Sequence, residues 1–121
     1  SHSFDYAAVM MSKSRPVDID IELIKEKVER IAPKFMRPEE MSFINGYNRI
    51  DHLYACWCAK EAVYKCFGQK EVSFADNISL EPFNFVTEGK VNARLDKGGV
   101  SRGYQVDYLQ YEDYMIGYVK G

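Results

Sequence analysis

Several features are scarce in this sequence of 121 residues, and each absence excludes a class of protein. No apolar run approaches the roughly 20 residues that a membrane-spanning helix needs. No basic tract is present, and the net charge of −2 argues against a protein that binds nucleic-acid backbones. The apolar content of 46% and charged content of 28% are ordinary for a globular protein of one domain.

Cysteine is also scarce, with three residues that all fall within one predicted helix: Cys56, Cys58 and Cys66. An odd number on one buried element indicates reduced thiols and not a disulfide framework. Cys-x-Cys spacing also occurs in metal sites, but a structural zinc needs four ligands and the sequence has no second pair. We therefore expect structural thiols and a cytoplasmic protein.

Hydrophobic periodicity places helices between two strand-rich parts of the chain. Residues 5–11 are apolar on both faces, as in a central strand, and residues 17–22 alternate apolar and acidic side chains, so the two could pair as a hairpin. A long helix is predicted from Ile50 to Phe67, ended by Gly68. Further strands are predicted at 78–85, 91–96, 104–111 and 113–119, with turns at EGK and KGGVSRG. This order predicts an α+β fold with a largely antiparallel sheet, packed against a long helix and shorter helices.

Three charged residues interrupt the apolar long helix, and they share one sector of it. Lys60 lies within an arc of bulky side chains that includes Trp57, and Glu61 and Lys65 lie beside that arc. One interpretation is a surface ion pair between Glu61 and Lys65, worth about a few tenths of a kcal/mol. The helix alone leaves that interpretation open.

The acidic strand favours a different interpretation. Asp18, Asp20 and Glu22 project from one face, with neighbours roughly 6–7 Å apart because each residue advances about 3.3 Å. A solvent-exposed strand face would also explain them. Carboxylates that converge from a strand and a helix, however, form an all-oxygen site suited to Mg²⁺, which commonly binds substrate phosphates as well. Lysines beside such a site would complement those phosphates.

The helix motif W-x-x-K-E-x-x-x-K, followed by Phe-Gly, resembles the signature of 4′-phosphopantetheinyl transferases. It comprises Trp57, Lys60, Glu61 and Lys65. The strand from Val17 to Glu22 is similar to the acidic strand of that family, with Asp18 where glycine is usual. Residues 1–3 (Ser-His-Ser) resemble a segment that the larger, two-lobed members carry upstream. The three motifs occur in the family's order over residues 1–80.

The resemblance implies transfer of the phosphopantetheine arm of coenzyme A to a serine of an acyl or peptidyl carrier protein, with release of adenosine 3′,5′-bisphosphate. It assigns Mg²⁺ at the coenzyme A pyrophosphate to Asp20, Glu22 and Glu61. The residues it implies for phosphate and coenzyme contacts are Ser1, His2, Lys60 and Lys65. Glu61 would help to deprotonate the attacking serine, and Lys65 and His2 would complete the catalytic set.

Two other interpretations remain. A degenerate relative would keep coenzyme A or carrier-protein contacts without turnover, and a structural domain would use the same charges as ion pairs. Two-lobed members supply basic residues for the nucleotide end of coenzyme A from a preceding lobe, whereas the small holo-acyl-carrier-protein synthases build sites between subunits of a trimer. We therefore expect residues 1–121 to form one transferase-like domain that is completed by an N-terminal lobe or by a homo-oligomer.

Overall fold

The computed structural model describes residues 16–44, 46–68 and 71–120, with the backbone alone at 16–18 and 120. The elements follow in the order β1 (Pro16–Leu23), α1 (Val28–Phe35), a 3-10 helix (Pro38–Phe43), α2 (Arg49–Phe67), β2 (Ile78–Leu80), β3 (Glu88–Lys97), β4 (Val100–Tyr111) and β5 (Tyr114–Lys120). The predicted α+β class is confirmed. The predicted strand at 5–11 and its hairpin with β1 lie outside the described residues.

The five strands form one antiparallel sheet in the order β1-β5-β4-β3-β2. The first described strand therefore pairs with the last one, in a register that sets Asp20 opposite Gly117 and Glu22 opposite Met115. Helix α2 packs across β5, β1 and β4 and forms the centre of the core. Within the described part of the chain, no helix is long and apolar enough to span a membrane.

Helix α2 lies close to the sheet because small side chains line its inner face. Ala55, Ala59 and Ala62 are fully buried, and their size allows the helix to approach the strands. The helix ends where predicted, at Gly68, whose φ of 74° is the left-handed conformation that glycine adopts without steric cost. It begins at Arg49, one residue before the predicted start. The long helix is thereby confirmed.

The strand predicted at 78–85 is wrong beyond Leu80. Pro82 has no N–H group to donate to a neighbouring strand, so the ladder stops before it. The following aromatic side chains turn onto α2 instead, where the ring of His52 lies 4.6 Å from that of Phe83 and 6.1 Å from that of Phe85. Their apolar pattern reflects packing against a helix and not strand pairing.

The hairpin of β3 and β4 is longer than predicted. Gly98 and Gly99 both have positive φ, 57° and 82°, and form a two-residue turn of the kind that suits the twist of a hairpin. Residues 100–103 therefore belong to β4, and residues 88–90, predicted as a turn, begin β3. The glycine-rich segment contains one tight turn and not a loop.

Candidate active site

The acidic face of β1 is turned toward α2. Asp20 lies beside Gly117, and a Cβ atom at position 117 would come within 2.9 Å of the Cβ atom of Cys58. This close approach of helix and sheet buries Asp20, which is only 4% exposed. The interpretation of the acidic strand as a solvent-exposed face therefore does not apply to Asp20, whose carboxylate lies between α2 and the sheet.

Lys65 brings an ammonium group to Asp20 from the last turn of α2. Its Nζ atom donates to Asp20 Oδ1 at 3.1 Å and to the backbone oxygen of Ile19 at 3.2 Å. Burial disfavours the charged ammonium, but the neighbouring carboxylates outweigh burial and raise the pKa of Lys65, with Asp20 contributing most. The side chain is 40% exposed, so the ammonium is accessible to a ligand. The ion-pair partner of Lys65 is thus Asp20 and not Glu61.

Glu22 shares the acidic face of β1 with Asp20 two residues away. Burial raises the pKa of Glu22 to about 7, and the charge of Asp20, a hydrogen bond between the two carboxyl groups and the charge of Glu61 act in the same direction. A hydrogen bond from the Trp57 side chain opposes the shift. Burial and these neighbours therefore favour the protonated, uncharged form of the Glu22 carboxyl group more than in an exposed glutamate.

Glu61 reaches the same cluster from α2, one turn before Lys65. Burial raises the pKa of Glu61, the charge of Asp20 raises it further, and Lys65 lowers it. The three predicted metal ligands are therefore electrostatically coupled across β1 and α2. That they converge on one metal ion remains a prediction from the sequence.

The chemistry of this cluster fits a divalent cation. Three carboxylates face one ammonium group, and in the described residues the buried Oδ2 atom of Asp20 has the Glu22 carboxyl group beside it and no amide or ammonium donor. A hard cation such as Mg²⁺ binds carboxylate oxygens. It would neutralise the negative charge of these carboxylates in place of a proton. Across residues 16–44, 46–68 and 71–120, no three Asp, Glu, His or Cys side chains lie close enough together to hold a metal ion by themselves. The predicted ligands Asp20, Glu22 and Glu61 would therefore need water or substrate oxygens to complete a site.

Lys60 does not lie at this site, and its assignment as a phosphate contact was wrong. Its side chain is fully buried, and Nζ pairs with Glu40 at 2.8 Å. Three backbone oxygens also accept from this ammonium group. Because all its protons are used inside the protein, Lys60 cannot reach a phosphate group at the surface. Glu40 was not predicted, since its acidic first-turn position in the 3-10 helix gives no sign of burial.

Two further predicted contacts, Ser1 and His2, lie outside the described residues, as does the side chain of Asp18. None of the three cysteines forms a disulfide within the described residues, and Cys56 and Cys58 are fully buried while Cys66 is half-buried. Burial raises the pKa of the Cys56 and Cys58 thiols, so they are poor nucleophiles and metal ligands. Their environment fits a structural role.

A sequence model of the 4′-phosphopantetheinyl transferase superfamily matches residues 16–119, from β1 through the last strand. The chain belongs to the 4′-phosphopantetheinyl transferase superfamily. No individual curated protein and no solved structure gave a match. Membership places the protein in a family of transferases that use coenzyme A, and the match covers every described residue of the acidic cluster.

Proposed function

We propose that this superfamily member catalyses the Mg²⁺-dependent transfer of the 4′-phosphopantetheine arm from coenzyme A to a serine of an acyl or peptidyl carrier protein. The observation that carries the proposal is the coupling of Asp20, Glu22 and Glu61 beside the exposed ammonium of Lys65. Phosphoryl transfer depends mainly on positioning and on neutralisation of charge. The cluster offers oxygen ligands for a cation and an ammonium group for a phosphate.

In the proposed reaction, the serine oxygen attacks the phosphorus atom that carries the pantetheine arm. A serine–phosphorus bond forms, the bond to the second phosphate breaks, and adenosine 3′,5′-bisphosphate leaves. The serine proton passes to Glu61, whose carboxylate is a better base because burial raises its pKa. Bound Mg²⁺ supplies charge neutralisation at the pyrophosphate.

Lys65 would contact the pyrophosphate with its exposed ammonium group. Its ammonium donates to two oxygens in the protein and retains a third proton for a ligand. By the sequence resemblance, His2 and Ser1 would add phosphate contacts. The resemblance implies phosphate contacts from Lys60 and Lys65. Because Lys60 lies in the interior, Lys65 is the one of the two whose ammonium group a phosphate can reach.

The test is mass spectrometry of an apo carrier protein after incubation with coenzyme A, Mg²⁺ and this protein. The expected result is a covalent phosphopantetheine adduct that is lost when the acceptor serine of the carrier is replaced by alanine. An Asp20→Asn variant is the matched enzyme control, because it keeps the side-chain shape and removes the charge. Coenzyme A binding without any adduct on fatty-acid, polyketide and nonribosomal-peptide carriers would favour a non-catalytic relative.

A further inference from the structure

A buried ion pair joins α2 to the 3-10 helix, away from the acidic residues of the candidate active site. The side chains of Lys60 and Glu40 are 0% and 3% exposed, and Nζ lies 2.8 Å from Oε1. Removing two charges from water costs much of the free energy that their attraction supplies. Apolar residues can therefore often replace such pairs without loss of stability. Stability alone is therefore a weak reason for the pair.

Lys60 connects three separate segments of the chain to α2. Its Nζ atom donates to the backbone oxygens of Phe35 at 2.8 Å, Phe74 at 2.9 Å and Ile78 at 2.8 Å. These residues are the last of α1, part of the connection between α2 and β2, and the first of β2. An apolar side chain would remove the hydrogen bond that each of these oxygens accepts from Lys60, and two of these bonds are buried.

Glu40 fixes the same region from the other side. Its Oε1 atom accepts from the backbone N–H of Arg37 at 2.8 Å, and Oε2 accepts from that of Leu80 at 2.7 Å. Both carboxylate oxygens therefore hold backbone groups while one also holds the ammonium. The pair sets where the end of α1 and the start of β2 lie relative to α2.

Two of the segments held by Lys60 also carry rings that flank Trp57. The ring of Phe35 lies 4.7 Å from that of Trp57 in an edge-on arrangement, and the ring of Phe74 lies 5.6 Å from it. Trp57 is one turn before Glu61 on α2, and its side chain hydrogen-bonds to Glu22. A contact path therefore runs from the ion pair through two rings to an acidic residue of the site.

We propose that Lys60 and Glu40 form a positioning pair for the acidic site, acting through Phe35 and Phe74 on Trp57 and hence on Glu22. The inference rests on the proposed function, since the aligned carboxylate is one of the Mg²⁺ ligands. Replacement of a group that orients a metal ligand without touching the metal commonly lowers metal affinity by about 10–100-fold. Lys60 thus affects the reaction from the interior and not by contact with a phosphate.

The first test is a Glu40→Gln variant, with Trp57 as the probe because it is the one tryptophan in the sequence. The expected results are a red-shifted Trp57 emission and an approximately tenfold higher Mg²⁺ concentration for the half-maximal fluorescence response. Arg49→Met is the matched control, since it breaks the Arg49–Glu29 pair between α1 and α2, which is partly exposed. The control should leave both readouts unchanged.

A second variant, Phe74→Leu, separates positioning from general stability. It keeps the backbone oxygen that accepts from Lys60 and removes the ring against Trp57. Phe74→Leu should also need a higher Mg²⁺ concentration for the half-maximal fluorescence response. This result tests the positioning role even if Glu40→Gln fails to fold. A folded Glu40→Gln protein with wild-type emission and Mg²⁺ response, or an unchanged Mg²⁺ response in Phe74→Leu, would overturn the proposal. Failure of the wild type to modify any carrier would instead overturn the proposed function and leave these fluorescence measurements valid.

Discussion

At the scale of single residues, burial and neighbouring charges at the candidate site raise the pKa of Glu22 and favour a protonated carboxyl group where a cation would bind. Asp20 is buried, with one oxygen paired to Lys65 and its carboxylate beside the Glu22 carboxyl group. Burial and the charge of Asp20 raise the pKa of Glu22 to about 7 and so disfavour its ionised form. A divalent cation and this proton therefore compete for the same oxygen atoms.

The competition predicts that Mg²⁺ binds more tightly as the pH rises from 6 to 8. Below pH 7 the ion must displace the proton from Glu22, and above pH 7 the carboxylate is already ionised. Calorimetric titration in buffers of different ionisation enthalpy should show proton release on binding at pH 6 and little at pH 8. Binding without any dependence on pH would exclude Glu22 as a ligand.

The same residue should make the metal-free protein less stable as the pH increases. The folded-state pKa of Glu22 is raised from its ordinary 4.5 to about 7, so between these values the folded protein binds more protons than the unfolded chain. Its contribution to stability therefore falls through this window, and Glu22→Gln should flatten the decline. Thermal melts of both proteins at several pH values provide the measurement.

Replacement of Lys65 by methionine should separate a catalytic role from a structural one. The side chain is 40% exposed, so loss of its pair with Asp20 should change the free energy of unfolding by about 1 kcal/mol or less. A phosphate-binding role predicts a fall in kcat/KM of about 100-fold or more. Kinetics and a melt on one preparation decide between them, with exposed Lys90→Met as the control. Unchanged kinetics would favour the ion-pair interpretation.

At the scale of elements, the site depends on how closely α2 approaches β1 and β5. Gly117 allows this approach, because a Cβ atom there would also lie 3.2 Å from backbone atoms of Cys58. The contact holds Asp20 and Glu61 on facing surfaces of strand and helix. Helix, strand and glycine together set the spacing of the carboxylates.

Substitution of Gly117 by alanine should therefore force α2 away from the sheet. We expect a loss of about 1–3 kcal/mol of stability, as for other over-packed interiors, together with weaker Mg²⁺ binding. Gly103→Ala is the matched control, because the nearest atom to a Cβ there is the Ala93 backbone oxygen at 4.0 Å. Equal effects of the two substitutions on Mg²⁺ affinity would contradict this account of the spacing.

Elements with a strong local signal could be predicted from the sequence, and those fixed by distant contacts could not. The alternation in β1 and the stop at Gly68 are local, and both agree with the structure. The burial of Lys60 could not be predicted, since its acceptors come from four segments that meet only in the folded protein. The end of β2 at Leu80 follows from Pro82, a local signal that the apolar pattern of the next residues obscured.

At the scale of the whole molecule, the burial of Lys60 removes one cation from the set that the resemblance implies for coenzyme A. The nucleotide end of coenzyme A carries several negative charges, and Lys60 is not available to neutralise them. We propose that a neighbouring subunit or an additional lobe supplies further basic groups. By the sequence resemblance, His2 would add one donor.

This proposal predicts that the isolated chain of 121 residues binds coenzyme A at micromolar strength only as an oligomer. Light scattering in the presence and absence of coenzyme A, combined with a calorimetric titration, provides the test. Adenosine 3′,5′-bisphosphate serves as the control ligand, because it retains the nucleotide end and lacks the arm. A strictly monomeric chain that binds coenzyme A at micromolar strength would show that the described chain suffices.

The pairing of β1 with β5 also determines when the site can form during folding. Asp20 and Glu22 lie on the first described strand, and the strand that aligns them is the last. Closure of so long an intervening segment is entropically costly and belongs among the slow steps of folding. Helix α2 can form early and bring its motif residues together, but the carboxylates of β1 reach them only when β5 is in place. The capacity to bind Mg²⁺ should therefore appear late, and a chain lacking β5 would carry every described site residue without forming the site.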